Sequence, residues 1–183
     1  MGKLIKNIFL VGFMGVGKTT VARRLARNLR VSAIDVDSYI LRKHGLDASE
    51  LFEMRGEEAF RALEAQALRE CVGMGPAIIS CGEGIVASPE SRALLAEEGL
   101  TVLLESSAEQ SLERIRSLRT RPLLAQGYDA DSLWYERKPL YDQVAHATLD
   151  VAGKNTPAMA DAIEELLVEK QAYIPDETNQ SNE

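Results

Sequence analysis

The 183-residue sequence contains little cysteine, few aromatic residues and no long hydrophobic run. Its two cysteines, Cys71 and Cys81, form no CxxC motif, so we expect neither a disulfide framework nor a cysteine zinc site. No apolar segment approaches the roughly 18–20 residues that a membrane-spanning helix needs. These absences favour one compact domain in a cytoplasmic protein.

Positive charge is also scarce. Asp and Glu number 28 against 21 Lys and Arg, which gives a formal net charge of −7. Proteins that bind nucleic acids or anionic membranes usually present a basic surface, so we expect neither partner. Small anionic ligands remain compatible with this composition, because a few cations inside a cleft are enough to bind them.

Short apolar runs alternate with amphipathic segments, which is typical of an α/β domain with a parallel sheet. Strands are predicted at Ile8–Val11, Ala33–Val36, Ala77–Cys81, Thr101–Glu105 and Ala147–Val151. Helices are predicted at Lys18–Leu29, Ser38–Lys43, Ala48–Met54, Glu57–Val72, Pro89–Glu98, Ala108–Leu118 and Pro157–Ala172. Residues 120–133 lack a clean period, which predicts an irregular loop with a functional role. Residues 173–183 are mostly polar and are predicted to form a disordered tail.

A glycine-rich motif follows the first predicted strand. Residues 12–19, GFMGVGKT, match the pattern G-x-x-x-x-G-K-[ST], with a strand before them and a helix after them. Such a loop points backbone N–H groups at phosphates, and the helix adds its positive end. The lysine reaches the β- and γ-phosphates and the threonine hydroxyl ligates Mg²⁺. We therefore predict a nucleotide site at Gly15, Val16, Gly17, Lys18, Thr19 and Thr20.

The class of P-loop protein is indicated by what accompanies the motif. The guanine-reading N-K-x-D sequence of GTPases does not occur. The third predicted strand ends in glycines, whereas motor-type ATPases usually have an Asp-Glu pair there. A small chain with an irregular loop and downstream arginines favours a kinase that acts on a metabolite or a nucleotide.

Two aspartates stand where a parallel sheet binds ligands, at the end of the second predicted strand. Because Asp35 and Asp37 alternate along that strand, we expect their carboxylates to point in different directions. One would hold Mg²⁺ through water and the other would meet an acceptor hydroxyl. The alternative is that they cap a helix that starts near Ser38.

Three arginines are candidate anion ligands. Arg61 lies three residues before Glu64 on one helical face, which fits a surface ion pair or a bidentate site for a carboxylate. Arg121 lies in the irregular loop, and Arg137 opens the segment before the fifth strand.

In their order and spacing, the motifs GxxGxGKTT, D-x-D, FRxxE, RPLL and ERxPLYxxVA resemble the shikimate kinase family, over about residues 3–148. The resemblance implies a three-layer P-loop kinase fold, with a five-stranded parallel sheet flanked by helices. It implies one domain over residues 1–172, with an acceptor-binding helical segment at 38–72 and a mobile lid at 117–133. It also implies transfer of the γ-phosphoryl group of ATP to the 3-hydroxyl of shikimate, in aromatic amino-acid biosynthesis. We expect a monomer.

The resemblance also implies roles for individual residues. Asp37 would contact the acceptor hydroxyls and act as the base, and Asp35 would hold Mg²⁺ with Thr19. Arg61 and Arg137 would clamp the carboxylate of shikimate.

On the nucleotide side, Lys18 and Arg121 would complement the charge of the transferring phosphoryl group. Arg114 would lie against the adenine.

One position departs from the family pattern of three consecutive glycines, because this chain has Gly82-Glu83-Gly84. The family backbone approaches the acceptor closely at these glycines. The Glu83 side chain therefore either points into solvent or crowds the acceptor pocket and repels an anionic substrate. In the second case the chain would be a related kinase for another small hydroxylated acid. A non-catalytic nucleotide-binding regulator is the remaining alternative, although it would need none of the acceptor-side residues.

Overall fold

The computed structural model describes residues 2–113, 123 and 127–176. Its strands are β1 (Lys3–Leu4), β2 (Asn7–Val11), β3 (Ala33–Asp35), β4 (Ile78–Ser80), β5 (Gly99–Glu105), β6 (Ala147–Asp150) and β7 (Tyr173–Ile174). Its helices are α1 (Lys18–Leu29), α2 (Val36–His44), α3 (Ala48–Val72), α4 (Pro89–Glu97), α5 (Ala108–Glu113), α6 (Ala130–Val144) and α7 (Thr156–Glu169). A single 3₁₀ turn at Ile85–Ala87 precedes α4.

Five strands form a parallel sheet in the order β3–β4–β2–β5–β6. All five residues of the central strand β2 are buried. Since successive side chains point to opposite faces, burial of the whole strand requires helices on both sides of the sheet. Helices α1 and α7 pack together, and α1 covers β2, β3 and β4, whereas α4 and α6 pack on β5. The predicted α/β class and the five-stranded parallel sheet are confirmed.

Asn7 is a buried polar residue at the start of β2. Its side-chain oxygen accepts a hydrogen bond from the backbone N–H of Ala77 at 3.1 Å, and its nitrogen donates to the carbonyl of Val72 at 3.4 Å. These two bonds connect β2 to the segment between α3 and β4.

Helix α3 changes direction at Gly56, whose φ of 79° and ψ of 169° are not helical. The helix begins at a capping box, in which Asp47 accepts from the Glu50 N–H and the Glu50 carboxylate accepts from the Asp47 N–H. The sequence correctly predicts two helical stretches on either side of this glycine.

The sequence-based prediction contains no helix at the position of α6, and the structure corrects that prediction in two places. The irregular segment was expected to extend to Leu133, but residues 130–133 form the first turn of α6, where Asp129 accepts a hydrogen bond from the Ser132 N–H. Arg137 lies inside the helix rather than in a connecting segment. Pro139 is tolerated within it, although proline removes a backbone donor.

The predicted tail also begins too early. Ile174 and Tyr173 pair in antiparallel register with Lys3 and Leu4, and Tyr173 is buried. Strand β7 therefore joins the two ends of the described chain, while residues 177–183 lie outside the described part. Among the helices of residues 2–113, 123 and 127–176, none has the length and apolar character needed to cross a bilayer.

Candidate active site

The P-loop connects the buried strand β2 to helix α1 at the carboxyl edge of the sheet. Gly17 directly precedes α1 with a φ of 98°, a left-handed conformation that suits glycine. The first turn of α1 contains no acidic side chain, so no carboxylate of that turn offsets the positive end of the helix, which favours an anion. Val16 is fully buried and anchors the loop in the core.

A cavity of about 260 Å³ lies at this loop. It is lined by Gly15, Gly17, Lys18, Thr19, Thr20, Asp35, Asp37, Cys81, Gly82 and Glu83. We call it the nucleotide cavity. Five of the six predicted loop residues line it, and the sixth is the buried Val16.

Lys18 folds back over its own loop. Its Nζ atom donates hydrogen bonds to the carbonyl oxygens of Gly12 at 2.7 Å and Phe13 at 2.8 Å. These bonds hold the ammonium group beside the start of α1. A phosphate that enters the loop would meet a positive charge already placed there.

Thr19 and Asp35 come together from α1 and the end of β3. The Thr19 hydroxyl donates to Asp35 Oδ2 at 2.8 Å and lies 3.2 Å from the Ser80 hydroxyl. Burial acts to raise the pKa of Asp35, but the hydrogen bonds that it accepts from Ser38 and Thr19 outweigh this effect and lower the pKa. The carboxylate is therefore ionised at neutral pH, as a cation ligand must be.

Asp35 and Asp37 both line the nucleotide cavity, but strand alternation is not what places them. The strand alternation ends at Asp35, which caps α2 by accepting from the Ser38 N–H at 2.9 Å. Asp37 already lies in the first helical turn. Helix capping and the contact with Thr19 are thus made by different oxygens of one carboxylate.

Within the described residues there is no group of three or more His, Cys, Asp or Glu side chains arranged to hold a metal ion. The oxygen pair from Thr19 and Asp35 is the kind of partial site that Mg²⁺ uses when phosphate oxygens and water complete its coordination. Thr19 and Asp35 are therefore compatible with the predicted Mg²⁺, provided that phosphate oxygens and water supply its other ligands.

A second cavity, the acceptor cavity, adjoins the first and has a free volume of about 40 Å³. Its lining residues are Asp37, Ala48, Phe52, Phe60, Arg61, Glu64, Gly82, Glu83, Gly84 and Leu123. Asp37, Gly82 and Glu83 line both cavities and form what we call the shared wall. The predicted helical segment at 38–72 contributes the α3 residues on the opposite side.

Arg61 is held by acidic partners on α3. Its NH1 atom donates to Glu64 at 2.5 Å, and its NH2 atom lies 3.2 Å from Glu57. The guanidinium also lies 5.8 Å and 5.5 Å from the ring centres of Phe52 and Phe60, within the range of a cation–π contact. Arg61 is largely buried by these contacts, so the pair with Glu64 is not a surface ion pair.

Glu64 is 3% exposed, and its ionisation is perturbed. Burial raises the pKa of Glu64 to about 7, the Arg61 guanidinium acts in the opposite direction, and the Asp37 carboxylate adds to the increase. The acceptor cavity therefore contains a carboxyl group that titrates near neutrality. The sequence placed Glu64 beside Arg61 but gave no sign of its burial.

The Glu83 side chain points inward and forms an ion pair with Arg137. Arg137 is 4% exposed. Burial lowers the pKa of its guanidinium, but that pKa starts so far above neutrality that the group keeps its charge. The Tyr141 hydroxyl donates to the Glu83 carbonyl at 2.5 Å, and burial raises the pKa of Tyr141 so that it keeps this proton. Since Tyr141 follows Arg137 by four residues, helical spacing could have indicated that both face the same loop.

Gly82 and Gly84 lie on either side of Glu83, and neighbouring side chains fill the space beside them. A Cβ atom at Gly84 would meet the Arg61 guanidinium, and one at Gly82 would lie 3.1 Å from Asp37 Oδ1. Position 83 differs because its side chain points towards Arg137. Of the remaining predicted site residues, Arg114 and Arg121 lie outside the described part of the chain.

The comparisons with known proteins agree with this geometry. The family model for shikimate kinase matches residues 14–168. Shikimate kinases of Haemophilus influenzae and Francisella tularensis are each 36% identical to the chain, over 88% and 90% of it and over 92% and 96% of their own lengths. A solved structure of shikimate kinase from Acinetobacter baumannii in complex with shikimate has a TM-score of 0.84 at 34% identity. That comparison covers 91% of this chain and 94% of the other. The protein thus belongs to the shikimate kinase family.

Proposed function

We propose that this protein transfers the γ-phosphoryl group of ATP to the 3-hydroxyl of shikimate. The observation that carries the proposal is the shared wall, where Asp37 faces both a phosphate-binding loop and a cavity that contains Arg61. A donor phosphate and an acceptor hydroxyl bound in these two cavities would approach each other beside Asp37. Positioning of this kind supplies much of the catalysis in phosphoryl transfer.

Charge neutralisation would come from the nucleotide side. Lys18 would exchange its bonds to the loop carbonyls for bonds to the β- and γ-phosphates, and the N–H groups at the start of α1 would bind the other oxygens. Thr19 and Asp35 would hold Mg²⁺, which neutralises charge on the phosphates when it is bound. Arg121 and Arg114 keep their predicted roles at the transferring phosphoryl group and the adenine, on the family pattern alone.

On the acceptor side, Asp37 would orient the attacking hydroxyl and accept its proton as the new P–O bond forms. Strong basicity is unnecessary, because the proton leaves late in a loose transition state. Arg61 and Arg137 would bind the carboxylate of shikimate, and exclusion of water by a closing lid would prevent wasteful hydrolysis.

The proposal is tested by coupled detection of ADP with shikimate and a panel of other hydroxylated acids as acceptors. We expect shikimate to support turnover with the highest kcat/KM, and another acid with a higher value would identify a different kinase.

Lys18→Met should abolish turnover without unfolding the protein, because it removes the phosphate-binding charge. Lys170→Met, at an exposed position after α7, is the matched control. Tight ATP binding without ADP release for any acceptor would indicate a nucleotide-binding regulator.

A further inference from the structure

Glu83 separates the acceptor cavity from Arg137. Glu83 lines both cavities, whereas Arg137 is among the described lining residues of neither. Glu83 and Arg137 form a close ion pair in which the side chains are 12% and 4% exposed. A carboxylate that enters the acceptor cavity therefore meets Glu83 before it can reach the guanidinium.

The surrounding structure fixes Glu83 in this position. The Tyr141 hydroxyl holds the Glu83 backbone carbonyl, and Tyr141 is one turn after Arg137 on α6. The space beside Gly82 and Gly84 is already taken by Asp37, Glu64 and Arg61. The loop therefore presents the residue-83 side chain towards α6, where Arg137 is its ionic partner.

The charges around the acceptor cavity leave little attraction for a further anion. Arg61 is paired with Glu57 and Glu64, and Arg137 is paired with Glu83. Asp37 adds another carboxylate at the shared wall. The free volume of about 40 Å³ is also far below the roughly 300–1,000 Å³ of cavities that enclose a small organic ligand. A carboxylate substrate has to displace an existing ion pair and make room for itself.

We propose that Glu83 is an internal competitor for the carboxylate of the acceptor. Its own carboxylate occupies the Arg137 guanidinium while the acceptor cavity is empty, and the acceptor carboxylate displaces it on binding. Glu83 thereby lowers the affinity for carboxylate acceptors and reduces the preference for them over neutral analogues. This inference rests on the proposed function, because it takes Arg137 as a ligand of the acceptor carboxylate.

The test pairs a charge change in the protein with a charge change in the substrate. Glu83→Gln keeps the side-chain shape and removes its charge, and Glu83→Gly removes the side chain. Each is assayed with shikimate and with its methyl ester, a neutral substrate of nearly the same shape. The control is Glu97→Gln, which removes the same charge at an exposed position. Glu97 is the last residue of α4, just before β5 and so at the amino ends of the strands, away from the two cavities.

For both Glu83 variants we expect the KM for shikimate to fall by about tenfold, since close charge pairs at buried positions couple by at least that factor. The KM for the methyl ester and the KM for ATP should stay within about twofold of the wild-type values. Glu97→Gln should change none of the three constants. A purely structural role for Glu83 would alter thermal stability without this selectivity between charged and neutral substrate.

Three results would overturn the inference. The KM for shikimate could stay unchanged or rise in both variants, or fall equally for shikimate and its methyl ester. Loss of folding in both variants, seen by circular dichroism, would show that the ion pair is a structural requirement. No ADP release with shikimate from any folded form would refute the proposed function itself, a result distinct from turnover with an unchanged KM.

Discussion

The buried carboxyl group of Glu64 should make the stability of the protein depend on pH in an unusual direction. Its pKa is raised from 4.5 to about 7, with burial as the largest cause. The folded protein thus holds this proton more tightly than the unfolded chain does. Glu64 therefore contributes stability that is complete below pH 4.5 and is lost as the pH rises through about 7.

The size of the effect follows from the shift. Each pKa unit corresponds to about 1.4 kcal/mol, so the contribution amounts to about 3 kcal/mol between pH 4 and pH 8. Glu64→Gln keeps an oxygen that can accept from Arg61 but does not titrate. The free energy of unfolding of the wild type minus that of Glu64→Gln should therefore decrease by about 3 kcal/mol over this range.

Urea unfolding at a series of pH values, followed by circular dichroism, measures this difference. Glu70 is a control of opposite sign, because its hydrogen bonds from Lys43 and Tyr39 lower its pKa to about 2. Its contribution is present above pH 4.5 and is lost as the pH falls towards 2. A flat difference between the wild type and Glu64→Gln from pH 4 to pH 8 would refute the reasoning.

Three further predictions concern the acceptor cavity and the core. Arg137→Ala should raise the KM for shikimate far more than the KM for ATP, because it removes a carboxylate ligand; equal increases in steady-state assays would argue against the clamp. Gly84→Ala should raise the KM for shikimate by about tenfold or more, because the new Cβ meets the Arg61 guanidinium. Gly73→Ala, where a Cβ makes only ordinary contacts of 3.5 Å or more, should leave that KM unchanged. Asn7→Ala should lower the free energy of unfolding by about 2 kcal/mol, because it removes the bond that the buried Ala77 N–H donates and one of the two that the Val72 carbonyl accepts. A loss below about 0.5 kcal/mol in urea unfolding would contradict this prediction.

Elements with a clear period were predictable from the sequence. Helix α1 shows apolar residues at Val21, Leu25 and Leu29, all of which are buried, and its predicted and observed bounds coincide. The P-loop carries its own signal, because its glycines and lysine are required by the backbone path and by phosphate chemistry. Its position between a strand and a helix was correct for the same reason.

Helix α6 was missed because its buried face includes a charge. The buried positions Ala130, Leu133, Arg137, Tyr141 and Val144 have helical spacing, but an arginine in the middle interrupts the apolar pattern. Pro139 weakens the helical signal further. Among the contacts of the described residues, the ion pair with Glu83, 54 positions earlier in the chain, accounts for an arginine being buried there.

Strands β1 and β7 have two residues each and no detectable period. Their pairing depends on the two ends of the described chain meeting in space, which no local pattern encodes. The inward direction of the Glu83 side chain could not be predicted from a local pattern either. The sequence shows only that position 83 departs from glycine, whereas the direction depends on the contacts of Glu83 with Arg137 and Tyr141 of α6.

The shared wall has a thermodynamic consequence for the two substrates. Asp37, Gly82 and Glu83 cannot adjust to a molecule in one cavity without changing the lining of the other. Any factor by which ATP changes the affinity for the acceptor must equal the factor by which the acceptor changes the affinity for ATP. Binding of the acceptor beside Asp37 would therefore be coupled to binding of ATP through the residues of the shared wall.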